Sequence, residues 1–172
     1  TSSAPENAPA FISIAATGSV ERGHLVLRST AKPGDDLFVT GKLGGSLSGK
    51  HLDFTPRIAE AAWLVRHFKP SAMMDLSDGL GKDLPRLASA SGCGFTIDEI
   101  ALPLSENANA QQAIGDGEDF ELLFSFPPDQ TAALLNAWHE IFPDLPLTVI
   151  GKTTPPGEGM ELTGGWDHFK QG

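Results

Sequence analysis

Apolar and polar residues along this chain fall into short blocks of two distinct periods. Residues 10–16 (AFISIAA) put Ala10, Ile12, Ile14 and Ala16 on one side and Phe11, Ser13 and Ala15 on the other, the period-two pattern of a strand. Short apolar runs between turn-forming residues predict further strands at 37–40, 72–76, 95–98, 121–126 and 147–151. A helical period predicts a helix over 56–68, where Ile58, Ala61, Ala62, Val65 and Phe68 share a face between Pro56 and Pro70. A second is expected over 78–91, with Leu80, Leu84 and Leu87 aligned and Gly92 closing it. Pro85 inside that pattern predicts a kink, or a start nearer Asp83. Two more fit 105–114 and 129–142. A polar connector carrying Gly18, Gly23 and Pro33-Gly34 separates the first strand from the rest and sets the domain division at 1–30 and 31–172. The order of elements lacks a regular βαβ repeat, so the expected class is α+β, a mixed sheet flanked by helices.

Composition narrows the functional classes. The 172 residues include 40% hydrophobic ones, enough for a sizeable core. No apolar run approaches the ~18 residues of a membrane span, and no export signal opens the sequence. A single cysteine, Cys93, excludes a disulfide framework and a multi-cysteine metal site, and an intracellular, cytoplasmic setting is expected. Beside Gly92 and Gly94 it reads as a small buried residue. The net charge of −10, with only 12 Lys and Arg, argues against nucleic acid as a partner. An acidic protein that handled phosphates would need metal ions or a few well-placed cations, and a cationic small molecule would suit it.

Three segments carry candidate chemistry. Gly44-Gly-Ser-Leu-Ser-Gly49-Lys50-His51 fits the phosphate-loop pattern G-x-x-x-x-G-K-[ST] except at its last position. His51 is no magnesium ligand of the required kind, and Asp53 to Pro56 stand between this loop and the next helix, so the segment reads as a flexible loop of small residues. Met74-Asp75-Leu76-Ser77-Asp78-Gly79-Leu80 places two carboxylates and a hydroxyl between a buried strand and a helix. Such junctions offer free backbone N–H groups to ligands. Asp75 and Asp78 could share a hard cation, or Ser77 or Asp78 could simply cap the helix. Asp116-Gly117-Glu118-Asp119-Phe120-Glu121 sets acidic residues just before a strand, a pattern that by itself reads as a solvated turn. Trp166, in Gly165-Trp166-Asp167-His168-Phe169, could be core or a flat surface for a ligand ring. The five histidines show no pair at metal-ligand spacing.

Taken in order, these segments resemble the thiamine-monophosphate kinases, in the superfamily that also holds aminoimidazole-ribonucleotide synthetase. The resemblance runs from Thr1-Ser2-Ser3 through Glu21-Arg22-Gly23, Lys32-Pro33-Gly34-Asp35, Phe54-Thr55-Pro56-Arg57 and the two acidic motifs to the Trp166-Asp167-His168-Phe169 ending. It implies the C-terminal domain of that superfamily, preceded by a strand belonging to an N-terminal domain outside these residues. It further implies ATP and thiamine monophosphate as substrates, thiamine diphosphate as product, several Mg2+ ions, and a homodimer at full length. Carried over residue by residue, Arg28 and Ser77 would contact ATP, Asp75 and Asp78 would hold magnesium, and Glu118 and Trp166 would contact the substrate; no catalytic side chain is implied. A thiazolium cation against Trp166 would agree with cation–π attraction and with the acidic balance. One departure is Asp116, where the family has a second glycine. Because the resemblance leaves the first domain out, these 172 residues alone are expected to have negligible kinase activity. Two alternatives are another ATP-dependent member of the superfamily and a non-catalytic binding or dimerising module; the Trp166 ending argues against the first, and intact Asp75, Ser77, Asp78 and Glu118 against the second.

Overall fold

A computed structural model describes residues 13–165. Five strands, β1 (Asp36–Thr40), β2 (Ala72–Asp75), β3 (Gly94–Ile97), β4 (Leu122–Phe126) and β5 (Leu147–Thr154), form one sheet in the order β2-β4-β1-β5-β3. All four ladders are antiparallel. The α+β class is the expected one, but the sheet is antiparallel throughout rather than mixed. No helix between neighbouring strands returns the chain in the parallel sense. The expected strand over 10–16 is not formed at residues 13–16, which are exposed and join no ladder; residues 10–12 lie outside the described part.

Helices cover both faces. On one, α2 (Leu80–Ser91) and α3 (Ala110–Gly115) pack Leu80, Leu84, Leu87 and Ala113 against Leu37, Val39, Leu123 and Ile150. On the other, α1 (Ile58–His67) and α4 (Thr131–Ile141) pack Leu64, Leu134 and Trp138 against Phe38, Phe124 and Phe126. Successive residues of a strand face opposite sides, so β1 and β4, buried along their whole length, feed both cores at once. Phe38 stacks on Phe124 with ring centroids 5.0 Å apart, and Phe126 meets it edge-on. Cys93 is buried with its thiol against the Ala88 carbonyl, as its glycine neighbours led one to expect.

Three local outcomes differ from the sequence pattern. Helix α2 begins at Leu80 and runs through Pro85, not from Asp83. The carbonyl that the proline ring crowds, one turn back, belongs to Gly81, where a Cβ would sit 3.0 Å from the Gly164 backbone. Helix α3 is shorter than 105–114 because Asn109 caps it. The Asn109 side chain accepts the Gln112 N–H while the Gln112 side chain accepts the Asn109 N–H. The 129–142 helix splits into a 3-10 turn at Pro128–Gln130 followed by α4. Among the described residues no helix is long and apolar enough to cross a membrane.

Candidate functional site

The antiparallel ladders bring the ends of three strands to one edge of the sheet. Asp75, the last residue of β2, pairs with Leu122, the first of β4. The Leu122 N–H donates to the hydroxyl of Thr40, the last residue of β1, at 2.9 Å. The three loops leaving these ends hold the three motifs singled out in the sequence.

Two of them are zipped together. Beyond the β2–β4 ladder, the Leu76 N–H donates to the Glu121 carbonyl and the Phe120 N–H to the Leu76 carbonyl, each at 2.8 Å. The Glu118 N–H then donates to the Ser77 carbonyl at 2.7 Å. The Asp75–Asp78 loop and the Asp116–Glu121 loop are therefore one continuous structure. Gly79 completes the junction: at φ +95°, a Cβ there would sit 2.6 Å from the Asp116 carbonyl.

Asp83, one turn into α2, holds the first loop. Its fully buried carboxylate accepts the Ser77 and Asp78 N–H groups at 3.0 and 2.9 Å. Arg86 bridges the Asp83 and Asp78 carboxylates at 2.8 and 2.6 Å. Burial raises the Asp83 pKa despite the donated N–H groups and Arg86. Asp83 thus takes two of the N–H groups of this junction, those of Ser77 and Asp78, and Asp78 is ion-paired.

The third loop closes on the second from the other side. Both Asp119 carboxylate oxygens lie near the Gly44 N–H, at 3.1 and 3.2 Å, and Asp116 accepts the Gly45 N–H at 2.8 Å. The Ser46 hydroxyl donates to the Gly117 carbonyl. The glycine-rich segment is therefore a docked loop of two 3-10 turns, Ser46–Ser48 and Lys50–Leu52, not the flexible stretch its composition suggested. It enters no helix, and His51 Nδ1–H donates to the Ser46 carbonyl, in keeping with the rejection of a phosphate loop. Lys50 ends on Glu121 at 2.9 Å, with Asp119 at 3.9 Å.

The acidic motif is not a solvated turn. Asp119 and Glu121 are each about 1% exposed. Arg57 makes a forked contact to Glu121, Nε to Oε2 at 2.7 Å and Nη2 to Oε1 at 2.9 Å, and Thr40 donates to Oε2 at 2.8 Å. This pairing raises the Arg57 pKa. Gly41 makes room: a Cβ there would sit 2.2 Å from the Glu121 carboxylate. Burial lifts the Asp119 pKa to about 6, against the Gly44 N–H and Lys50. Glu118 and Phe120 flank it with φ of 64° and 52°, a left-handed backbone uncommon for residues other than glycine.

Of the residues expected at a site, Asp75, Ser77, Asp78 and Glu118 come together at this edge. Arg28 lies on the exposed segment that runs beside β2: the Leu27 carbonyl before it accepts the Met73 N–H at 3.3 Å, two residues from Asp75, and the Ser91 hydroxyl donates to the Arg28 carbonyl at 3.2 Å. Trp166 lies outside the described residues; at Gly165 before it, φ is +91° and a Cβ would sit 2.7 Å from the Asp78 carbonyl and 2.6 Å from the Lys82 side chain. Asp83 lay in no motif, and Gly44, Arg57 and Asp119 lay in segments singled out in the sequence but without a role of their own. The usable signal was two acids, Asp119 and Glu121, leading into an apolar strand.

The donor set can be tested for magnesium. Among the described residues no three His, Cys, Asp or Glu side chains cluster as a metal cage. Exposed Asp75 and the Arg86-paired Asp78 would suit a magnesium ion that keeps water and takes phosphate oxygens from its substrate, the usual habit of this ion.

This antiparallel, two-faced α+β domain belongs to a known family: the model of the AIR synthase related protein, C-terminal domain, matches residues 32–161, and the chain is a member of it. It is 39% identical over 155 residues to the thiamine-monophosphate kinase of Rhodopirellula baltica, covering 84% of this chain and 47% of that protein. The crystal structure of thiamine-monophosphate kinase from Stenotrophomonas maltophilia superposes with a TM-score of 0.71 at 29% identity, over 81% of this chain and 54% of that one. AaThiL complexed with AMPPCP and TMP gives 0.57 at 29% identity, over 84% and 54%. The chain spans about half the length of the curated relatives it matches.

Proposed function

We propose that this chain is the C-terminal part of a thiamine-monophosphate kinase, which transfers the γ-phosphoryl group of ATP to the phosphate of thiamine monophosphate. The observation that carries the reading is the 2.7 Å bond from the Glu118 N–H to the Ser77 carbonyl. It joins a loop fit for the nucleotide, with Asp75, Ser77 and Asp78, to a loop fit for the acceptor, with Glu118. The relatives at 39% and 34% identity, both thiamine-monophosphate kinases, support the chemistry assigned to these loops.

In this reading Ser77 contacts ATP, and Glu118 and Trp166 bind the thiamine moiety. Asp75 and Asp78 hold magnesium, which would offset charge on the transferred phosphoryl group. For Asp78 to do so, Arg86 must release it or share it. The acceptor phosphate loses its second proton near pH ~6, so its oxygen is already anionic at neutral pH and needs no base from the protein. These residues therefore bind and orient, and the rate gain comes from alignment. Arg28, on the segment beside β2, contacts ATP in the same reading, its long side chain reaching along the strand toward the Asp75 end. We assign residues 1–30 to a segment shared with an N-terminal domain and 31–172 to the C-terminal domain, in a cytoplasmic, dimeric enzyme.

The test is turnover by the intact protein with ATP, Mg2+ and thiamine monophosphate, followed as thiamine diphosphate formed. Glu118→Gln is expected to raise KM for thiamine monophosphate roughly tenfold with little change for ATP. No thiamine diphosphate from the intact protein would refute the reading. The 172 residues alone are expected to show negligible turnover.

A further inference from the structure

We propose that Asp119 is a positioning residue for Glu118, held in that role by the glycine-rich loop at Gly44 to Ser46. The inference rests on the reading of Glu118 as a substrate contact and adds what fixes it in place. Three successive residues, Gly44, Gly45 and Ser46, bond to Asp119, Asp116 and Gly117 and so bracket Glu118 on both sides. Glu118 stays half-buried while Asp119 beside it is about 1% exposed. Between them the backbone must reverse, and it does so through the left-handed conformations of Glu118 and Phe120. Such a conformation persists only where surrounding contacts over-determine it. Here the contacts are the Asp119 anchor on one flank, the Glu118 and Phe120 N–H bonds to Ser77 and Leu76 on the other, and Phe120 stacked on Phe54 at 4.1 Å.

The jaw facing Asp119 tolerates little change. Gly44 has φ +82°, and a Cβ there would lie 2.8 Å from the Ala113 amide nitrogen in α3, so any side chain drives the loop off α3 or off Asp119. Lys50, Glu121 and, through Glu121, Arg57 surround the same carboxylate. A buried acid that no substrate needs to touch thereby sets the geometry of an acid that one does.

Two substitutions on opposite partners test this in the intact protein. Asp119→Ala and Gly44→Ala are each expected to raise KM for thiamine monophosphate roughly tenfold and KM for ATP by less than about twofold. Asp119→Asn keeps an oxygen for the Gly44 N–H and should stay within about threefold of wild type. Leu134→Ala, in the opposite core, should lower the melting temperature without moving either KM. Should Asp119→Ala fail to fold, Ser46→Ala removes only the bond to Gly117 and should shift the same KM by about threefold. Equal rises in both KM values, or no rise in any variant that folds, would overturn the proposal. If the wild type makes no thiamine diphosphate, the functional reading fails separately, and the clamp is judged by hydrogen exchange. Faster exchange at the Glu118 and Phe120 amides in Asp119→Ala or Ser46→Ala than in Leu134→Ala supports it, and equal exchange overturns it.

Discussion

Burial holds the Asp119 carboxyl at about 6, while the Gly44 N–H and Lys50 pull it down and Glu121 and Asp116 push it up. In the unfolded chain the same group titrates near ~3.9. The folded state therefore binds this proton more tightly, so the contribution to stability is complete below the unfolded value. It is lost as pH rises through 6. At pH 8 the fold carries an ionised, buried acid, at a cost of roughly 3 kcal/mol. Asp119→Asn removes that cost while an amide oxygen still accepts the Gly44 N–H, although the attraction to Lys50 goes too. We expect the variant to be more stable than wild type by about 1–3 kcal/mol at pH 8, and the gain to shrink toward zero near pH 4. Urea denaturation at the two pH values measures it; an equal difference at both, or a loss at pH 8, would contradict the assigned cause. None of this was legible in the sequence. Asp116-Gly-Glu-Asp119 has the composition of a solvated turn, and only partners 70 or more residues away, at Gly44 and Gly45, bury it.

Elements were more readable than side-chain environments, because they follow local chemistry. The runs at 37–40, 72–76, 95–98, 121–126 and 147–151 correspond to β1 to β5 within a few residues. Errors arose where a local signal had two meanings. Pro85 suggests a kink or a start nearer Asp83, but α2 begins at Leu80 and continues past it, since a missing N–H costs one bond and Leu80, Leu84 and Leu87 bury a whole face. Residues 105–109 read as the start of a helix and instead form the turn that delivers Asn109 as its cap. That cap has a consequence for the site, since α3 supplies the backbone against which Gly44 packs. Asn109→Ala is expected to cost about 1 kcal/mol, and Asn109→Ser, which restores an acceptor, to recover most of it. Thermal unfolding of the three proteins measures this; an Asn109→Ser variant no better than Asn109→Ala would mean the cap is not what stabilises α3.

At the scale of the whole domain, the sheet separates two cores that serve different ends. The face under α2 and α3 supports the loops that carry Asp75, Ser77, Asp78 and Glu118, while the face under α1 and α4 holds the Phe38, Phe124 and Phe126 cluster. The strand alternation that divides them was visible in the sequence, but the direction of the ladders was not, because period-two patterning is the same in parallel and antiparallel sheets. That direction matters most for function, since it brings the ends of β1 and β2 to the start of β4. Two cores that share only a backbone sheet should respond independently to small losses of volume. Ile150→Val on the first face and Phe124→Leu on the second are each expected to cost about 1 kcal/mol, and the double variant to equal their sum within ~0.5 kcal/mol. Chemical denaturation of the four proteins gives the coupling directly. A coupling above ~1 kcal/mol would show that the faces relax together through β1, which contributes Phe38 to one and Leu37 and Val39 to the other. Loss of packing on the aromatic face would then loosen the glycine-rich loop that follows Thr40, and Phe124→Leu would weaken substrate binding as well as stability.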